Sequence, residues 1–337
     1  MPIRISIVIP TFDRPAKLAR ALNSCLQQSA PAFEIIVIDN GQNPATRPTV
    51  EAAQQAEGSP SIRYLQSELF DIRKALATGI EAAKGDWLIL LDDDDFLVPD
   101  RIANDTTLIR EIVDEAYVIV IVQDFLRIDY ANELVWEHRM AKKTLGLYQA
   151  LVLDSFPPPP AATWRTEAIQ AHHSFHTPEG WMTDFDLYAS LLPHGQLRKS
   201  NRHGYVMDDT RVAGRLTGNI DEALKMIELH RERYRAQRAN LEVPESQIDQ
   251  RLDQQIAFFA GKAIKLKALS GPTGHYARRH FKEVLKGCIA PLRAAFSRVF
   301  ADQMPEMRGS KSYSLQRFGK RDQSLSQLIK TSKLTEE

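Results

Sequence analysis

The chain has 337 residues, of which 43% are hydrophobic and 26% charged, and its 43 basic and 43 acidic side chains give a formal net charge of zero. This composition is typical of a globular protein long enough for one large α/β domain and a smaller extension. Its two cysteines, Cys25 and Cys288, are far apart and lack metal-binding spacing. They therefore indicate neither a disulfide framework nor a zinc centre, and a reducing, cytoplasmic location is expected. No apolar stretch reaches the ~20 residues that a membrane-spanning helix needs.

The first hundred residues alternate between apolar runs and helical stripes. Strands are predicted at residues 3–9, 34–39, 62–65 and 86–91. A helix beginning near Pro15 carries Leu18, Leu22 and Leu26 on one face, and another is predicted over 70–84. This alternation indicates βαβ units and a doubly wound, mostly parallel sheet flanked by helices.

Beyond residue 100 the sequence predicts more mixed structure. The expected elements are a helix over 100–115, a strand over 117–122, a proline-rich connector at 157–160, a helix over 182–192, and helices throughout 219–300. The stretch after residue 304 is polar and basic, so we expect it to be a flexible tail.

The predicted strand that ends at Leu91 is followed by four consecutive carboxylates, Asp92 to Asp95. In open α/β sheets, ligands bind just beyond the carboxyl ends of the strands. Oxygen ligands suit a hard cation such as Mg²⁺ or Mn²⁺, which would also offset the repulsion among these charges. The alternative is a solvated acidic turn before the next helix.

Polar residues follow two other predicted strands, so three strand ends should meet at one edge of the sheet. The residues concerned are Pro10, Thr11 and Asp13 after the first strand, Asp39 and Asn40 after the second, and Asp92, Asp93 and Asp94 after the fourth. This convergence indicates a crevice for a nucleotide and a metal ion. No G-x-G-x-x-G or G-x-x-x-x-G-K-[ST] motif is present, so a dinucleotide-binding fold and a P-loop are disfavoured.

Taken in order, these segments resemble the family 2 glycosyltransferases of the GT-A fold over residues 3–215. The resemblance is carried by ISIVIPTFDR (5–14), EIIVIDNG (34–41), the glycines at 79 and 85, DDDD (92–95), ATWRTEAI (162–169) and WMTDFDLY (181–188). It implies a GT-A domain over 1–215, with a nucleotide-binding half (1–100) and an acceptor half (101–215). A helical extension (216–303) and the basic tail (304–337) would follow.

The resemblance also implies an activity. Family members transfer a sugar, here of hexose type, from a nucleotide-diphosphate donor, usually a UDP-sugar, with inversion, and Mn²⁺ or Mg²⁺ bridges the diphosphate. The acceptor would be a hydroxyl of a saccharide or lipid-linked molecule in cell-surface polysaccharide or glycolipid synthesis.

The resemblance assigns roles to particular residues. Asp94 matches the metal-binding aspartate of the D-x-D motif, and Asp92 or Asp93 matches the ribose contact. Asp184 matches the general base, although an aspartate there could also simply favour a helix N-terminus. The remaining donor-binding positions are Pro10, Thr11, Asp13, Asp39, Asn40 and Arg73, the last for the phosphates.

Three residues depart from the family pattern. Asn40 replaces a second aspartate that often reads the base, which weakens uridine as the donor base; Ala77 replaces an asparagine, and Thr183 a glutamate. Asn40 and Ala77 leave open a non-catalytic nucleotide-sugar-binding scaffold. A phosphatase or phosphomutase is a weaker alternative, because it needs a nucleophile on the first strand.

Charge is unevenly distributed along the chain. Residues 255–337 contain 16 Lys and Arg against 6 Asp and Glu, a net charge of +10, so residues 1–254 carry −10, with 27 against 37. The basic residues alternate with apolar ones at helical spacing, which predicts either docking on an anionic membrane surface or a helical cap on the domain. In the first case the protein would be peripheral at the inner face of the membrane. No recognition motif indicates a nucleic-acid partner.

Overall fold

A computed structural model describes residues 2–68, 70–139, 157–173, 175, 187–188, 190–191, 194–210 and 311–333. The strands are Ile5–Thr11 (β1), Glu34–Asp39 (β2), Ser61–Gln66 (β3), Trp87–Leu90 (β4), Phe96–Leu97 (β5), Val118–Asp129 (β6), Leu134–His138 (β7), Ala162–Arg165 (β8), Gln196–Asp208 (β9) and Lys311–Ser314 (β10). The helices are Pro15–Leu26 (α1), Thr46–Gln54 (α2), Ile72–Ala82 (α3), Arg101–Glu111 (α4), Thr166–His172 (α5), Leu315–Arg321 (α6) and Gln323–Thr331 (α7).

The strands form one sheet in the order β10-β7-β6-β8-β4-β1-β2-β3, with β9 pairing with β5 and β6. Strands β1 to β4 are mutually parallel, whereas β8 runs antiparallel to both β4 and β6. The predicted α/β sheet flanked by helices is therefore confirmed. The sequence does not predict the helices α2, α5, α6 and α7 or the strands β5, β7, β8, β9 and β10.

The strand predicted over 117–122 is longer in the structure. β6 extends to Asp129 and pairs first with β8, then with β7, while β9 runs along it. Its second half contains Gln123, Asp124 and Arg127, so the apolar run ends before the strand does. Pairing with two neighbours keeps these residues in the sheet.

Alternate residues of the central strands pack against opposite layers. Val8, Ile36 and Leu90 share a buried cluster with α3. Ile7, Ile35 and Ile89 lie in a second cluster with α1 and α4. Successive side chains of a strand point to opposite faces, so continuous apolar runs bury both faces of the sheet and hold the strand ends in fixed positions.

Residues 311–333 are not the flexible tail that the sequence predicts. β10 pairs antiparallel with β7, and the helices that follow bury Phe318 and Ile329 against Phe96, Leu126 and Val206. The segment is mostly basic and polar, and its few apolar residues stabilise it only by packing against a surface formed by distant strands. Local composition therefore does not predict this packing. The chain thus returns to its own sheet.

Two predicted features lie largely outside the described residues. These are the helix over 182–192, apart from its residues 187, 188, 190 and 191, and the helical extension over 216–303. In the parts of the chain that are described, no helix is both long and apolar enough to cross a membrane.

Candidate functional site

The carboxyl ends of β1, β2 and β4 meet at one edge of the sheet. Thr11 lies opposite Asp39 in the β1–β2 register, and the Leu91 N–H donates to the Val8 carbonyl at 2.9 Å. From β1 the chain proceeds to β2 and β3 on one side and returns as β4 on the other. The strand order therefore reverses between β1 and β4, and such a switch point is where open α/β sheets bind ligands.

A hydrogen bond crosses this switch point. The Thr11 hydroxyl donates to Asp93 Oδ2 at 2.8 Å, and both residues are about 1% exposed. Burial raises the pKa of Asp93 from 3.8 to about 6, although the Arg14 cation and the Thr11 hydrogen bond oppose that change. Asp93 is thus fixed within the sheet edge.

The four carboxylates point alternately outward and inward. Asp92 is exposed and the Asp94 side chain is 16% exposed, whereas Asp93 and Asp95 are buried. Asp95 Oδ1 accepts from the Asp208 N–H at 3.0 Å. Burial, reinforced by the charges of Asp94 and Asp92, raises the pKa of Asp95 well above its ordinary value. Only Asp92 and Asp94 therefore present carboxylates toward solvent.

A stripe of polar side chains along one side of α1 contacts the acidic loop, which consists of residues Asp92 to Asp95. Arg14 contacts Asp93 Oδ1 at 2.5 Å and Asp94 Oδ2 at 2.9 Å, and Lys17 Nζ lies 3.6 Å from Asp94 Oδ2. Arg20 donates to the Asp94 carbonyl. The leucine face predicted the helix, but this stripe on its other side was not predicted. The three-residue spacing of the basic residues is the signal that would have revealed it.

The stripe continues past the carboxylates. Ser24 Oγ accepts from the Leu97 N–H at 3.1 Å, and Gln28 donates to the Val98 carbonyl at 2.8 Å. One helix face thus follows the chain from Asp93 to Val98.

The end of β2 is ordered by its own hydrogen bonds. Asp39 accepts from the Gly41 N–H at 2.9 Å and from the Tyr64 hydroxyl at 2.6 Å. Burial and the Asp39 carboxylate raise the pKa of Tyr64 to about 12, so Tyr64 remains a donor. Asn40 is 3% exposed, and its Oδ1 has no hydrogen-bond partner among the residues that the structure describes. An unpaired buried acceptor at a strand end suits a ligand donor.

Pro10 and Asp13 shape the loop after β1. Pro10 is buried opposite Ile38 at the strand end. Asp13 has a left-handed φ of 53°, and its Oδ1 accepts from the N–H groups of Gln42 and Asn43, each at 2.6 Å. The Asp13 carboxylate therefore ties the ends of β1 and β2 together.

An aromatic pair stands at the rim of this edge. The rings of Phe12 and Phe70 meet edge to face with centroids 5.3 Å apart, and the two residues are 36% and 70% exposed. Phe70 has a φ of 64°, an unfavourable conformation for a residue with a Cβ. Its N–H donates to the Asn40 carbonyl, which places the Phe70 main chain beside that of Asn40. Neither phenylalanine was predicted as a site residue.

Three further residues named in the sequence prediction lie in different parts of the chain. Arg73 lies in the first turn of α3 with Nε 3.8 Å from Asp71 Oδ1, at the same edge as the carboxylates. Ala77 is buried in the core and contributes no polar group. Asp184 lies outside the described residues.

The side chains at this edge offer the type of ligand atom, carboxylate oxygen, that a divalent cation binds. Asp92 and Asp94 offer carboxylate oxygens at the surface, and Asp94 Oδ2 is shared by Arg14 and Lys17. No group of three or more His, Cys, Asp or Glu suited to a metal occurs within the described ranges. An ion bound here would take its other ligands from a diphosphate and water, as Mg²⁺ commonly does.

Comparison with known proteins assigns the family. The sequence profile described as Glycosyl transferase family 2 matches residues 6–186, more than half of the chain. The chain belongs to glycosyl transferase family 2. This family 2 segment contains β1 to β8 and the whole acidic loop.

Individual relatives match a shorter stretch of the chain. An uncharacterized glycosyltransferase of Haemophilus influenzae is 31% identical over 97 residues, which are 29% of this chain and 31% of that protein. An undecaprenyl-phosphate 4-deoxy-4-formamido-L-arabinose transferase of Aeromonas hydrophila is 33% identical over 94 residues, or 27% of this chain and 28% of that protein. The match thus spans less than a third of either relative.

Solved structures share the fold. S. aureus TarS 1–349 in complex with UDP-GlcNAc superposes with a TM-score of 0.56 at 17% identity, covering 78% of this chain and 73% of that one. The mannosyltransferase PcManGT from Pyrobaculum calidifontis, in complex with GDP-Man and Mn²⁺, gives 0.52 at 12% identity, covering 91% and 85%. Because the sequence identities are this low, the superpositions establish only that this chain shares the GT-A fold.

Proposed function

We propose that this protein transfers a hexose-type sugar from a nucleotide-diphosphate donor, a UDP-sugar, to an acceptor hydroxyl group with inversion at the anomeric carbon. The observation that carries the proposal is the meeting of Asp39, Asn40, Asp92 and Asp94 beside the switch point between β1 and β4. Membership of family 2 supports it, as does the presence of UDP-GlcNAc in TarS.

The donor would lie across the carboxyl ends of the strands, with residues 1–100 as its half of the domain. Asn40 would meet the base, Asp92 the ribose, and Arg73 the phosphates. Of the two aspartates predicted for the ribose, Asp93 is the buried one, which leaves Asp92 for this contact. Phe12 and Phe70 offer an exposed aromatic surface beside Asn40, and aromatic rings commonly stack on bases. Asn40 Oδ1 is buried and accepts no hydrogen bond from the described part of the chain, which supports a ligand that donates a hydrogen bond there.

Asp94, with Asp92 beside it, would hold Mn²⁺ or Mg²⁺. When bound, the ion offsets the charge of the leaving diphosphate. Arg14 and Lys17 already neutralise part of Asp94, so a cation and these side chains would share one carboxylate. The Mn²⁺ in the PcManGT complex supports a divalent ion at this fold's site.

Asp184 would be the general base of the acceptor half, residues 101–215. A carboxylate there would take the proton from the acceptor hydroxyl as the hydroxyl oxygen attacks the anomeric carbon on the side opposite the diphosphate.

The acceptor would be lipid-linked and belong to cell-surface glycan synthesis. The name of one relative, an undecaprenyl-phosphate 4-deoxy-4-formamido-L-arabinose transferase, supports this. The net charge of +10 in residues 255–337 supports docking on the anionic inner face of the membrane. Sedimentation with vesicles of increasing anionic lipid content, at low and high salt, tests this docking.

The deciding experiment measures release of nucleoside diphosphate from UDP- and GDP-sugars with Mn²⁺, together with UDP affinity with and without the ion. Asp94→Ala should remove the metal-dependent part of the UDP affinity while the protein stays folded. Asp86→Ala is the matched control, because Asp86 also pairs with an arginine, at 2.7 Å, but at the opposite edge of the sheet. Metal-dependent affinity that survives in Asp94→Ala would refute the metal assignment.

The same panel separates this proposal from a non-catalytic scaffold, which Asn40 and the buried Ala77 favour. A scaffold would bind the nucleotide sugar and release no diphosphate with any acceptor.

A further inference from the structure

The C-terminal segment, residues 311–333, lies against the acidic loop. It buries Phe318 and Ile329 beside Phe96, which immediately follows Asp95. The Tyr130 hydroxyl donates to the Ile329 carbonyl at 2.8 Å. The segment is therefore attached to the part of the sheet that carries the four carboxylates.

Arg20 connects the two. Its Nη1 donates to the Ser332 carbonyl at 3.2 Å and to Asp208 Oδ2 at 2.7 Å, while Nη2 donates to the Asp94 carbonyl. The guanidinium lies over the Phe96 ring, 5.2 Å from its centroid. With its side chain 5% exposed, Arg20 reaches from α1 and is held in one geometry by groups from the acidic loop, β5, β9 and the C-terminal segment.

These contacts fix the main chain at the proposed metal residue. Arg20 holds the Asp94 carbonyl, and the Asp208 N–H holds the Asp95 side chain at 3.0 Å. Holding the Asp94 carbonyl fixes the main chain from which the Asp94 side chain projects. Arg14 and Lys17 contact the carboxylate itself, so together these contacts leave the side chain few directions.

We infer that the C-terminal segment is part of the donor site and acts through Arg20, a positioning residue that aligns Asp94. The inference rests on the proposed function. The buried guanidinium of Arg20 donates to several fixed acceptors at once, and one of them belongs to the C-terminal segment. Donor affinity would therefore depend on residues more than two hundred positions away from Asp94 in the chain.

A double-mutant cycle tests this coupling. The variants are Arg20→Gln, a chain ended after Lys330, and their combination, with Arg20→Lys as a variant that keeps the charge. Ending the chain after Lys330 removes the Ser332 carbonyl but keeps Ile329. Each variant is measured for UDP affinity, with and without Mn²⁺, by calorimetry and for thermal stability.

We expect Arg20→Gln to weaken Mn²⁺-dependent UDP binding about tenfold, Arg20→Lys less, and the shortened chain about fivefold. In the Arg20→Gln background, shortening should cost less than about twofold more, because the connecting group is already absent. Arg63→Gln is the matched control: Arg63 also donates to a carboxylate and a carbonyl, Glu34 and Ala82, but at the other edge of the sheet. It should lower the melting temperature and leave UDP affinity unchanged.

Equal losses on shortening in both backgrounds, or wild-type affinity in Arg20→Gln and Arg20→Lys, would overturn the inference alone. A wild-type protein that binds neither UDP nor GDP would overturn the proposed function, and the inference with it.

Discussion

Removing Asp105 should destabilise this protein strongly, because Asp105 is the counter-ion of a fully buried arginine. Arg101 and Asp105 both have side chains with no solvent exposure, and Arg101 Nε lies 2.7 Å from Asp105 Oδ2. The other two guanidinium nitrogens donate to the Pro160 carbonyl at 2.9 Å and to Thr163 Oγ1 at 2.8 Å. The pair thus joins α4 to the turn before β8.

The expected loss of stability follows from the groups that the substitution leaves without a partner in the core. Asp105→Ala would keep the Arg101 charge in the core without a counter-ion, and breaking a buried pair in this way costs about 3–5 kcal/mol. Thr163 Oγ1 would also lose its 2.5 Å contact with Asp105. A loss of about 4 kcal/mol is a large share of the ~5–15 kcal/mol that stabilises an ordinary domain.

The assay is urea unfolding at pH 7, followed by circular dichroism, for Asp105→Ala, Arg101→Met and the double variant. The double variant should lose about as much as either single variant, because no unpaired charge remains. Asp86→Ala is the exposed control, since the Arg4 and Asp86 side chains are 46% and 45% exposed. That control should cost less than about 1 kcal/mol and should lose even this in high salt.

Two outcomes would contradict this reasoning. One is a loss below about 1 kcal/mol in Asp105→Ala, and the other is additive losses in the double variant. Either would mean that Arg101 reaches water or finds another acceptor when Asp105 is removed.

The other predictions concern the site and the pH dependence of stability. Asp184→Asn should lower sugar transfer about 100-fold or more at unchanged donor affinity, and near-normal turnover in the transfer assay would remove its role as base. Phe70→Gly should relieve the left-handed φ of 64°, so the melting temperature should not fall, while UDP binding in calorimetry weakens about tenfold; Phe33→Ala, a 40% exposed phenylalanine before β2, is the control. Burial lowers the pKa of His138, stacked on Phe125, from 6.5 to about 4, so as pH falls through this range the unfolded state takes up the proton first. The wild type should lose about 3 kcal/mol of stability relative to His138→Phe in urea titrations between pH 7 and 4, and parallel pH profiles would contradict this.

Local signals were sufficient for the parallel half of the fold. The runs at 5–9, 34–39 and 86–91 are apolar except for Ser6 and the end residues Glu34, Asp39 and Asp86. Such nearly continuous apolar runs are typical of strands that are covered on both faces. The carboxyl ends of parallel strands share an edge, and the sequence therefore also located Thr11, Asp39 and the four aspartates together. Asp184 stays a prediction, because it lies outside the described residues.

Tertiary structure decided how that edge is built. The sequence by itself determined that four carboxylates stand at a strand end, but their neutralisation by Arg14 and Lys17 and the inward turn of Asp95 depend on how α1 and β9 pack. Residues 311–333 show the same limit. Their few apolar side chains gain stability only against a surface made by β5, β6 and β9, and a surface assembled from distant segments leaves no periodic trace in the local sequence.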